Sequence, residues 1–417
     1  MFDTGNTAFM VMASSLVLLM TPGLAFFYGG LVGRKNVLTI MMQSFVSMGV
    51  TAVIWWAYGY SLCFSGGEGS IIGNLDKCFL QGVTLNSLSP YGEGRIPEFA
   101  FIAFQMMTAI ITPALITGAF SNRMRFGAYL TFLVAWLTFV YFPFAHMVWG
   151  NGLLAKMGVL DFGGGIVVHN IAGMAALAAV FFIGKRKFTN EVPHSLPLMA
   201  IGMGLLWFGW FGFNAGGELA ADGVTFLIFL NTQLSGAFAA VAWMLMAWIF
   251  EKKPKFLGFL TGGLAGLVVI TPCCGYVTPT SAVIVGLLAG VVCYGAVNLK
   301  NRMKWDDALD VWGVHGVGGF LGILLLGVLA DKAVNPAGAD GLLKGNPAFL
   351  GTQALAIVIS SVCAFGISWF ILRGIQTVTR VRTTAEEEAT LDASIHGEFA
   401  YEPEETEFKP KRRIEAA

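Results

Sequence analysis

Residues 160–177, LDFGGGIVVHNIAGMAAL, and residues 307–327, DALDVWGVHGVGGFLGILLLG, each carry one histidine inside a very apolar run. An ionisable side chain at membrane depth costs about 2.5 kcal/mol or more when charged, so such a residue indicates a functional site by default. The alternative is a neutral histidine that is hydrogen-bonded to a neighbouring helix. A single histidine would favour that alternative, but His169 and His315 lie at matched depth in two halves of the chain, which favours a function.

The composition is typical of a polytopic membrane protein. The chain has 417 residues, of which 56% are hydrophobic and 12% are charged, and its mean hydropathy is +0.71. A soluble domain of this length does not have such a composition. Many of the 53 glycines are spaced like Gly262 and Gly266, a pattern that lets membrane helices approach closely. The formal net charge of zero offers no basic surface for nucleic acid.

Eleven apolar runs are long enough to cross a membrane. They lie at residues 8–31, 37–64, 98–120, 126–147, 162–184, 195–214, 224–250, 256–272, 277–298, 309–330 and 347–373. We therefore expect an all-α polytopic fold with eleven transmembrane helices in a domain of residues 1–373. The polar residues 374–417 are expected to form a cytoplasmic C-terminal tail, and disorder is one interpretation of its end.

The ends of the chain and the cysteines add two further expectations. The N-terminal sequence MFDTGNTAF has no basic residue, so we expect no cleavable signal, and the first apolar run should remain as a helix. The six cysteines do not have the spacing of a metal site. Whether Cys63 and Cys78 form a disulfide is left open, and we expect neither a metal nor a cofactor.

Basic residues predict the orientation. The connections after odd-numbered helices hold thirteen lysines and arginines, whereas the other connections hold five. By the positive-inside rule the first set is cytoplasmic. The protein should therefore lie in the cell (inner) membrane with its N-terminus outside and its C-terminus in the cytoplasm.

The predicted helices 1–5 and 6–10 run in opposite directions, so the chain is expected to contain an inverted repeat followed by an extra eleventh helix. Such repeats commonly place a substrate path at their interface, near the midplane. With a rise of 1.5 Å per residue, His169 and His315 each lie roughly 10 Å below opposite faces of the membrane core. The two imidazoles can therefore meet near its centre.

Several other residues are candidates for the path. The indole of Trp149 can attract a small cation or anchor the helix at the membrane interface. Asp161 can attract a cation at longer range or cap the fifth helix, which begins at DFGG. The aromatic group consists of Phe104, Trp210 and Phe213, with Asn214 following in the chain; these residues either line a narrow path or only pack.

Two other classes of protein are disfavoured. The triplets Asn335-Pro336-Ala337 and Asn346-Pro347-Ala348 are the mark of water channels, but both lie in one predicted outer loop and cannot form facing half-helices. The sequence has no nucleophile elbow, Walker loop or HExxH motif, so an enzyme is not expected. An ion-coupled transporter for another solute would need an acidic relay at mid-depth, which the predicted helices lack.

The residues resemble one family, the ammonium transporters of the Amt/Mep/Rhesus group, in their bacterial or archaeal form. The resemblance runs through FYGGLVGRKNVL, AFQMMTAIITPALITGAF, FPFAHMVWGNG, LDFGGGIVVHNIAGMAAL, GWFGFNAGGELAADG, DALDVWGVHGVGGFLGILLLG and EEEATLDASIHGEFAY. It covers nearly the whole chain in order. It implies eleven helices, a homotrimer with a pore in each subunit, and often a PII-type regulatory protein on the cytoplasmic face.

The resemblance also implies roles for individual residues. His169 and His315 would be the twin pore histidines, Asp161 the acid needed for cation recognition, and Phe213 part of an aromatic gate. The outer vestibule would include Trp149 and Phe104. The implied function is an ammonium transporter or channel that binds ammonium outside, removes a proton and passes ammonia, with or without the proton.

Two positions depart from the family pattern. Thr108 stands where many bacterial members have phenylalanine, which removes one ring of a paired gate. Gly217 stands where several members have serine, which removes a hydroxyl from the outer cation site. These departures favour, as the alternative function, an ammonium-binding sensor that conducts little and signals through its cytoplasmic face.

Overall fold

The computed structural model describes residues 2–92, 95–188 and 192–401, and over these ranges the chain is helical without a β-strand. The end of the tail, for which disorder is one interpretation, lies outside the described residues. The membrane helices are α1 (Thr4–Leu31), α2 (Arg34–Phe64), α3 (Glu98–Ile116), α4 (126–149), α5 (Gly165–Ile183), α6 (Leu196–Ala215), α7 (Gly223–Glu251), α8 (Phe256–Ile270), α9 (Pro279–Arg302), α10 (Trp312–Leu329) and α11 (Pro347–Val378).

The predicted all-α polytopic fold is confirmed. Within the described ranges, ten helices are long and apolar enough to cross a membrane. The remaining predicted span corresponds to α8, which has 15 residues and is therefore about 22 Å long at 1.5 Å per residue. Turns over residues 271–276 continue the chain beyond it, so the count of eleven holds with one short member.

The predicted ends differ from the observed ones by a few residues. The fifth and tenth helices begin three residues later than expected, at Gly165 and Trp312, because an aspartate-led turn precedes each of them. The last helix, α11, runs to Val378 and thus five residues beyond the predicted domain boundary at residue 373.

Helices α1 and α6 lie antiparallel in close contact. A Cβ atom added at Gly30 would lie 2.5 Å from the backbone of Met199, and one added at Gly23 would lie 3.2 Å from Leu206 N. As residue numbers rise along α1, the numbers of the contacted residues in α6 therefore fall, so the two helices are antiparallel. An antiparallel pairing of the first helices of the two repeats is what inverted topology requires.

Helices α5 and α10 cross with their backbones in direct contact. A Cβ atom added at Gly173 would overlap the backbone of Gly316, and one added at Gly319 would lie 2.6 Å from Gly165 O and 2.7 Å from Asn170 N. Small residues allow membrane helices this approach. The crossing brings the histidine-bearing parts of the two helices together.

We use two names for the ends of the bundle. The N-terminal face is the one at which α1 begins, and the tail face is the one against which residues 379–401 pack. On the tail face, the guanidinium of Arg382 donates to Ile183 O (3.0 Å) and Lys185 O at the end of α5. The Asp392 carboxylate accepts from Leu38 N (2.9 Å) and Thr39 N (2.8 Å) in α2. The tail therefore links the ends of two membrane helices.

The cysteines are all free thiols in the structure. Cys63 is buried at the end of α2, where its Sγ lies 3.8 Å from Phe142 O. Cys78 lies in the following loop and is not paired with it.

The crossing of α5 and α10 predicts the effect of adding one methyl group. We expect Gly173→Ala to destabilise the protein, because overpacking a filled contact costs about 1–3 kcal/mol. The matched control is Gly366→Ala in α11, where an added Cβ meets no atom within 4 Å. Thermal unfolding in detergent should give a lower midpoint for Gly173→Ala and an unchanged or slightly higher one for the control. Equal midpoints for the two variants would contradict the close contact.

Candidate functional site

Two cavities enter the bundle from opposite faces, and a narrow passage lies between them. The cavity at the N-terminal face, hereafter the outer cavity, has a volume of about 280 Å³. The cavity at the tail face has about 370 Å³. The space between them measures about 10 Å³, close to the least volume that admits one water-sized molecule.

Some residues that line the passage also line the cavity at either end of it. The ring of Phe213 borders both the outer cavity and the passage. His315 borders both the passage and the tail-face cavity, while His169 lies between them in the passage wall. A molecule that crosses the bundle by this route would pass Phe213, then His169, then His315.

The two histidines meet inside the bundle. Their Nδ1 atoms are 3.3 Å apart, and each residue is 1% exposed. Each histidine lies in a π-helical turn that opens its helix, Gly165–Asn170 in α5 and Trp312–Gly316 in α10. The Nδ1 contact fits one shared hydrogen, with one ring donating and the other accepting.

The second nitrogen of His169 belongs to a ring that borders the passage. Its Nε2 atom is buried and has no hydrogen-bond partner in the described part of the chain. The ring is held in place by Trp210, which stacks on it with centroids 5.5 Å apart. Trp210 in turn donates from Nε1 to Thr271 Oγ1 at 2.9 Å. A buried polar atom without a partner is costly, so this nitrogen is suited to bond a molecule in the passage.

Asp161 acts on the backbone rather than on the cavity. Its carboxylate accepts from four backbone N–H groups at the start of α5: Gly164 (2.9 Å), Gly165 (2.6 Å), Ile166 (2.8 Å) and Val167 (3.2 Å). Burial raises the pKa of Asp161, and these four bonds oppose the rise. Because four donors need the lone pairs of both oxygens, they favour the ionised carboxylate.

Trp149 is connected to this cap. Its indole Nε1 donates to Asp161 O at 2.8 Å, and its half-buried ring borders the outer cavity. The carboxylate of Asp161 is not part of the cavity wall. Asp161 therefore positions both the start of α5 and the ring of Trp149.

Three more candidates border the outer cavity: Phe104, Thr108 and Gly217. Phe104 is fixed against Gly216, where a Cβ atom would overlap its ring. Thr108 is 3% exposed and donates from Oγ1 to Phe104 O at 3.3 Å. Thr108 thus brings to the outer cavity a hydroxyl that is bonded to its own helix.

Two candidates from the same segment lie elsewhere. Trp210 borders the passage but not the outer cavity. Asn214 borders neither space, because its Nδ2 donates to Thr232 Oγ1 at 2.9 Å and so joins α6 to α7. Asn214 therefore braces the wall and does not line the path.

Asp307 is a site residue that the sequence analysis missed. It accepts from Val311 N (3.1 Å) and Trp312 N (2.8 Å) at the start of α10, as Asp161 does for α5. The signal was present in the sequence, because each aspartate precedes its histidine by eight residues. Burial raises the pKa of Asp307 to about 6; Lys300 lowers it, and Asp310 adds to the rise.

Glu218 was also missed. It follows Gly217 in the turn that ends α6, and it borders the outer cavity. Within the described ranges, no group of three histidine, cysteine, aspartate or glutamate side chains is arranged to hold a metal ion.

Comparisons with known proteins agree on one family. The model of the Ammonium Transporter Family matches residues 8–401. An ammonium transporter of Bacillus subtilis is 45% identical over 401 residues, which cover 95% of this chain and 98% of the relative. The crystal structure of Candida albicans Mep2 is 34% identical with a TM-score of 0.87, covering 95% of this chain and 90% of that chain. A solved structure named Sensor Amt Protein is 29% identical with a TM-score of 0.86, covering 94% and 98%.

The buried Asp307 predicts a pH dependence of stability. Its pKa of about 6 in the folded protein lies above the ordinary value of 3.8, so the folded state binds more protons between these two values. Stability contributed by this group is therefore present below about pH 4 and is lost as the pH rises towards 6.

We expect Asp307→Asn to remove this dependence. Unfolding midpoints of the wild-type and variant proteins, measured from pH 4 to 7, give the difference between the two. The midpoint of the wild type should fall relative to that of the variant as the pH rises to about 6. Above this pH the difference between the two midpoints should stay constant. A difference that is constant over the whole range would contradict the assignment.

Proposed function

The chain belongs to the ammonium transporter family, and we propose that it carries ammonium nitrogen through the passage as ammonia, after a proton is removed at the outer cavity. The observation that supports this mechanism best is the histidine pair in a narrow constriction between two open cavities. The passage has room for about one small molecule, and His169 Nε2 offers it a hydrogen-bond partner.

The cost of burying charge favours ammonia as the moving species. An isolated ion that leaves water for an apolar interior loses tens of kcal/mol of solvation, whereas a small neutral amine loses a few. Outside the histidine pair and Trp210 the passage wall is apolar, with residues such as Leu206, Ile111 and Leu264. A step that leaves the proton at the entrance therefore lowers the barrier.

The outer cavity supplies the binding step. The face of Trp149 attracts a cation by about 0.5–2 kcal/mol, depending on how much water is excluded, and Phe104 adds a second aromatic surface. Asp161 keeps Trp149 and the start of α5 in place, so we assign it a positioning role in cation recognition. Gly217 contributes space rather than a hydroxyl.

The histidines supply the transfer step. Histidine can donate from one ring nitrogen and accept at the other, and it titrates near neutrality. The pair can therefore accept ammonia at His169 Nε2 and relay a proton across the Nδ1 contact. Potassium has no proton to give up, so it stays at the entrance. No covalent chemistry is involved, and the relatives are named transporters rather than enzymes.

We further propose the membrane placement and partners. The N-terminal face lies outside and the tail face in the cytoplasm of a cell (inner) membrane, because the basic connections lie on the tail face. Residues 1–373 form the transport domain and 374–417 the tail. The family resemblance implies a homotrimer. Exposed apolar residues such as Phe226 and Trp248 on α7 are suited to contact with another subunit or with lipid. A PII-type regulator would act on the cytoplasmic face.

An ammonium sensor is the second candidate function. It is favoured by the hydroxyl of Thr108 in place of a gate ring and by similarity to the protein named Sensor Amt Protein. Arg382, which bonds the end of α5, offers a route from the passage to the tail. A transporter gives ammonium-evoked current or methylammonium uptake in proteoliposomes, whereas a sensor binds ammonium with little of either.

The first prediction from this mechanism concerns Asp161. We expect Asp161→Ala to abolish uptake, because four backbone N–H groups at the start of α5 lose their acceptor at once. Trp149→Leu should weaken affinity and selectivity without abolishing transport. Radiolabelled methylammonium uptake by correctly folded protein, checked by size-exclusion profile, measures both effects. Near-normal uptake by Asp161→Ala would refute the positioning role.

The second prediction concerns the gate. We expect Thr108→Phe to change conduction or ammonium affinity several-fold, because a ring at this position would occupy space in the outer cavity that Thr108 borders. Thr108→Val is the matched control, since it keeps the volume and removes only the hydroxyl. If uptake and binding are unaltered in Thr108→Phe, the residue serves packing alone and the sensor function loses its main support.

A further inference from the structure

His146 is a buried histidine that takes no part in the proposed passage of ammonium. It lies in the last turn of α4, and its side chain is completely buried. It precedes Trp149 by three residues, and its carbonyl oxygen accepts from Gly150 N (2.9 Å) and Gly152 N (3.0 Å) in the turn that follows. The placement of His146 therefore bears directly on the ring of Trp149 at the outer cavity.

Both ring nitrogens of His146 face backbone carbonyl oxygens. Nδ1 lies 2.9 Å from Cys63 O at the end of α2, and Nε2 lies 2.9 Å from Gly67 O in the loop that follows α2. A carbonyl oxygen only accepts hydrogen bonds, and a neutral imidazole has a single N–H group. A neutral ring would therefore direct one nitrogen lone pair at an oxygen lone pair. Both contacts are hydrogen bonds only when the ring carries two protons.

The neighbouring hydroxyl does not change this count. Ser70 Oγ lies 3.2 Å from the Nε2 atom, but it also lies 2.6 Å from Gly67 O and 2.5 Å from Ile72 O. Its single proton is needed for one of these two carbonyl groups, which leaves the hydroxyl oxygen as an acceptor. The Nε2–H group can then donate to Gly67 O and to Ser70 Oγ, so the doubly protonated ring satisfies all of these polar atoms.

The ends of two helices favour a positive charge at this place. Helix α2 ends at Phe64 and helix α4 at Trp149, both on the N-terminal face. The last carbonyl groups of a helix lack partners within the helix and carry partial negative charge. Cys63 O is one of them, and His146 itself lies in the last turn of α4. A doubly protonated ring is thus stabilised by the negative ends of both helix dipoles.

Side-chain carboxylates do not pair with this ring. None of the ion pairs within residues 2–92, 95–188 and 192–401 includes His146. The nearest titratable groups in sequence have other contacts, since the Cys63 thiol lies 3.8 Å from Phe142 O and Glu68 pairs with Lys156 at 3.2 Å. The remaining titratable side chains of residues 60–77 bond other side chains, namely Tyr60 and Lys77 with Glu98, and Asp76 with Asn74. Carbonyl oxygens are therefore the groups that compensate the charge of the ring.

The loop after α2 is shaped to present its carbonyl group to the ring. Gly67 has a φ of 69°, in the left-handed region that favours glycine. The loop also pairs with the chain that follows α4, because Gly69 N donates to Asn151 O (2.9 Å) and Leu153 N donates to Ser70 O (2.8 Å). The imidazole bond to the loop is thus part of the contact that holds residues 65–70 against residues 150–153.

We propose that His146 acts as a doubly protonated clamp, a positioning residue that joins the ends of α2 and α4 to the outer loop and so fixes Trp149 at the outer cavity. This inference rests on the proposed function of that cavity. Loss of one proton breaks one of the two carbonyl contacts, and histidine is the side chain suited to such a change between about pH 5 and pH 8. The clamp is therefore closed at low pH on the N-terminal face and loosens as that pH rises.

The number of protons on the ring can be measured in the wild-type protein. Alanine precedes histidine only at Ala145–His146, so isotope labels on the carbonyl of alanine and on histidine select this residue in solid-state NMR spectra. We expect both ring nitrogens to carry a proton at about pH 5 and one of them to lose it as the pH rises to about 8. A bare ring nitrogen at the lower pH, or an unchanged number of protons over the range, would overturn the proposal.

The positioning role is tested with His146→Gln, which removes the titratable ring, and with His194→Gln as the matched control. His194 lies on the tail face, where its Nδ1 is 3.1 Å from Val32 O and its Nε2 is 3.0 Å from the hydroxyl of Tyr401. Because a hydroxyl donates as well as accepts, a neutral ring satisfies both of these contacts. Size-exclusion profiles establish that both variants are folded.

Methylammonium uptake into proteoliposomes is compared at equal pH, so that the ionisation of the substrate cancels. We expect the KM of His146→Gln to exceed that of the wild type about three- to tenfold at low pH, the effect of one hydrogen bond. The two KM values should converge as the pH rises to about 8, and His194→Gln should follow the wild type throughout. A KM of His146→Gln within about twofold of the wild type at low pH, or a ratio that is independent of pH, would contradict the clamp.

Failure of the proposed function would look different. If the wild-type protein does not take up methylammonium, the NMR measurement still decides the number of protons on His146. Hydrogen exchange of the backbone amides in residues 65–74 then replaces uptake as the readout of the clamp. These amides should exchange faster in His146→Gln than in the wild type at low pH, and His194→Gln should not differ. Equal exchange in all three proteins would reject the role of His146 independently of transport.

Discussion

The close crossing of α5 and α10 is the constraint on which the passage depends. Glycines at the crossing leave no Cβ atoms between the backbones, and Gly173 lies against Gly316. Helices with ordinary side chains pack 8–10 Å apart, a distance at which two imidazoles on opposed helices need not touch. The crossing thus converts two histidines on separate repeats into one pair with a 3.3 Å contact.

Helices α5 and α10 each begin in the interior of the bundle rather than in water. Their first N–H groups therefore need hydrogen-bond partners within the protein. Asp161 supplies them for α5 and Asp307 for α10, each eight residues before a histidine. An aspartate suits this position because two oxygens can accept from several consecutive N–H groups. The same arrangement in both repeats sets the depth of the two histidines from opposite faces.

The outer cavity and the passage differ in their physical tasks. In the proposed mechanism the cavity holds a cation, and aromatic rings such as those of Trp149 and Phe104 form part of its wall. In the same proposal the passage excludes that cation, and apolar side chains form its wall together with His169, His315 and Trp210. Phe213 borders both spaces, whereas Thr108 borders only the outer cavity. We therefore assign the proposed change from ion to neutral molecule to the boundary at Phe213.

The sequence by itself determined the features that depend on position along the chain. The apolar runs predicted the helices to within a few residues, and the depths of His169 and His315 followed from a fixed rise per residue. The direction in which a side chain points was decided by the tertiary structure, because helix rotation and crossing depend on contacts between distant segments. For this reason the oxygens of Asp161 bond the backbone, Asn214 bonds Thr232 and does not line the path, and Glu218 borders the outer cavity.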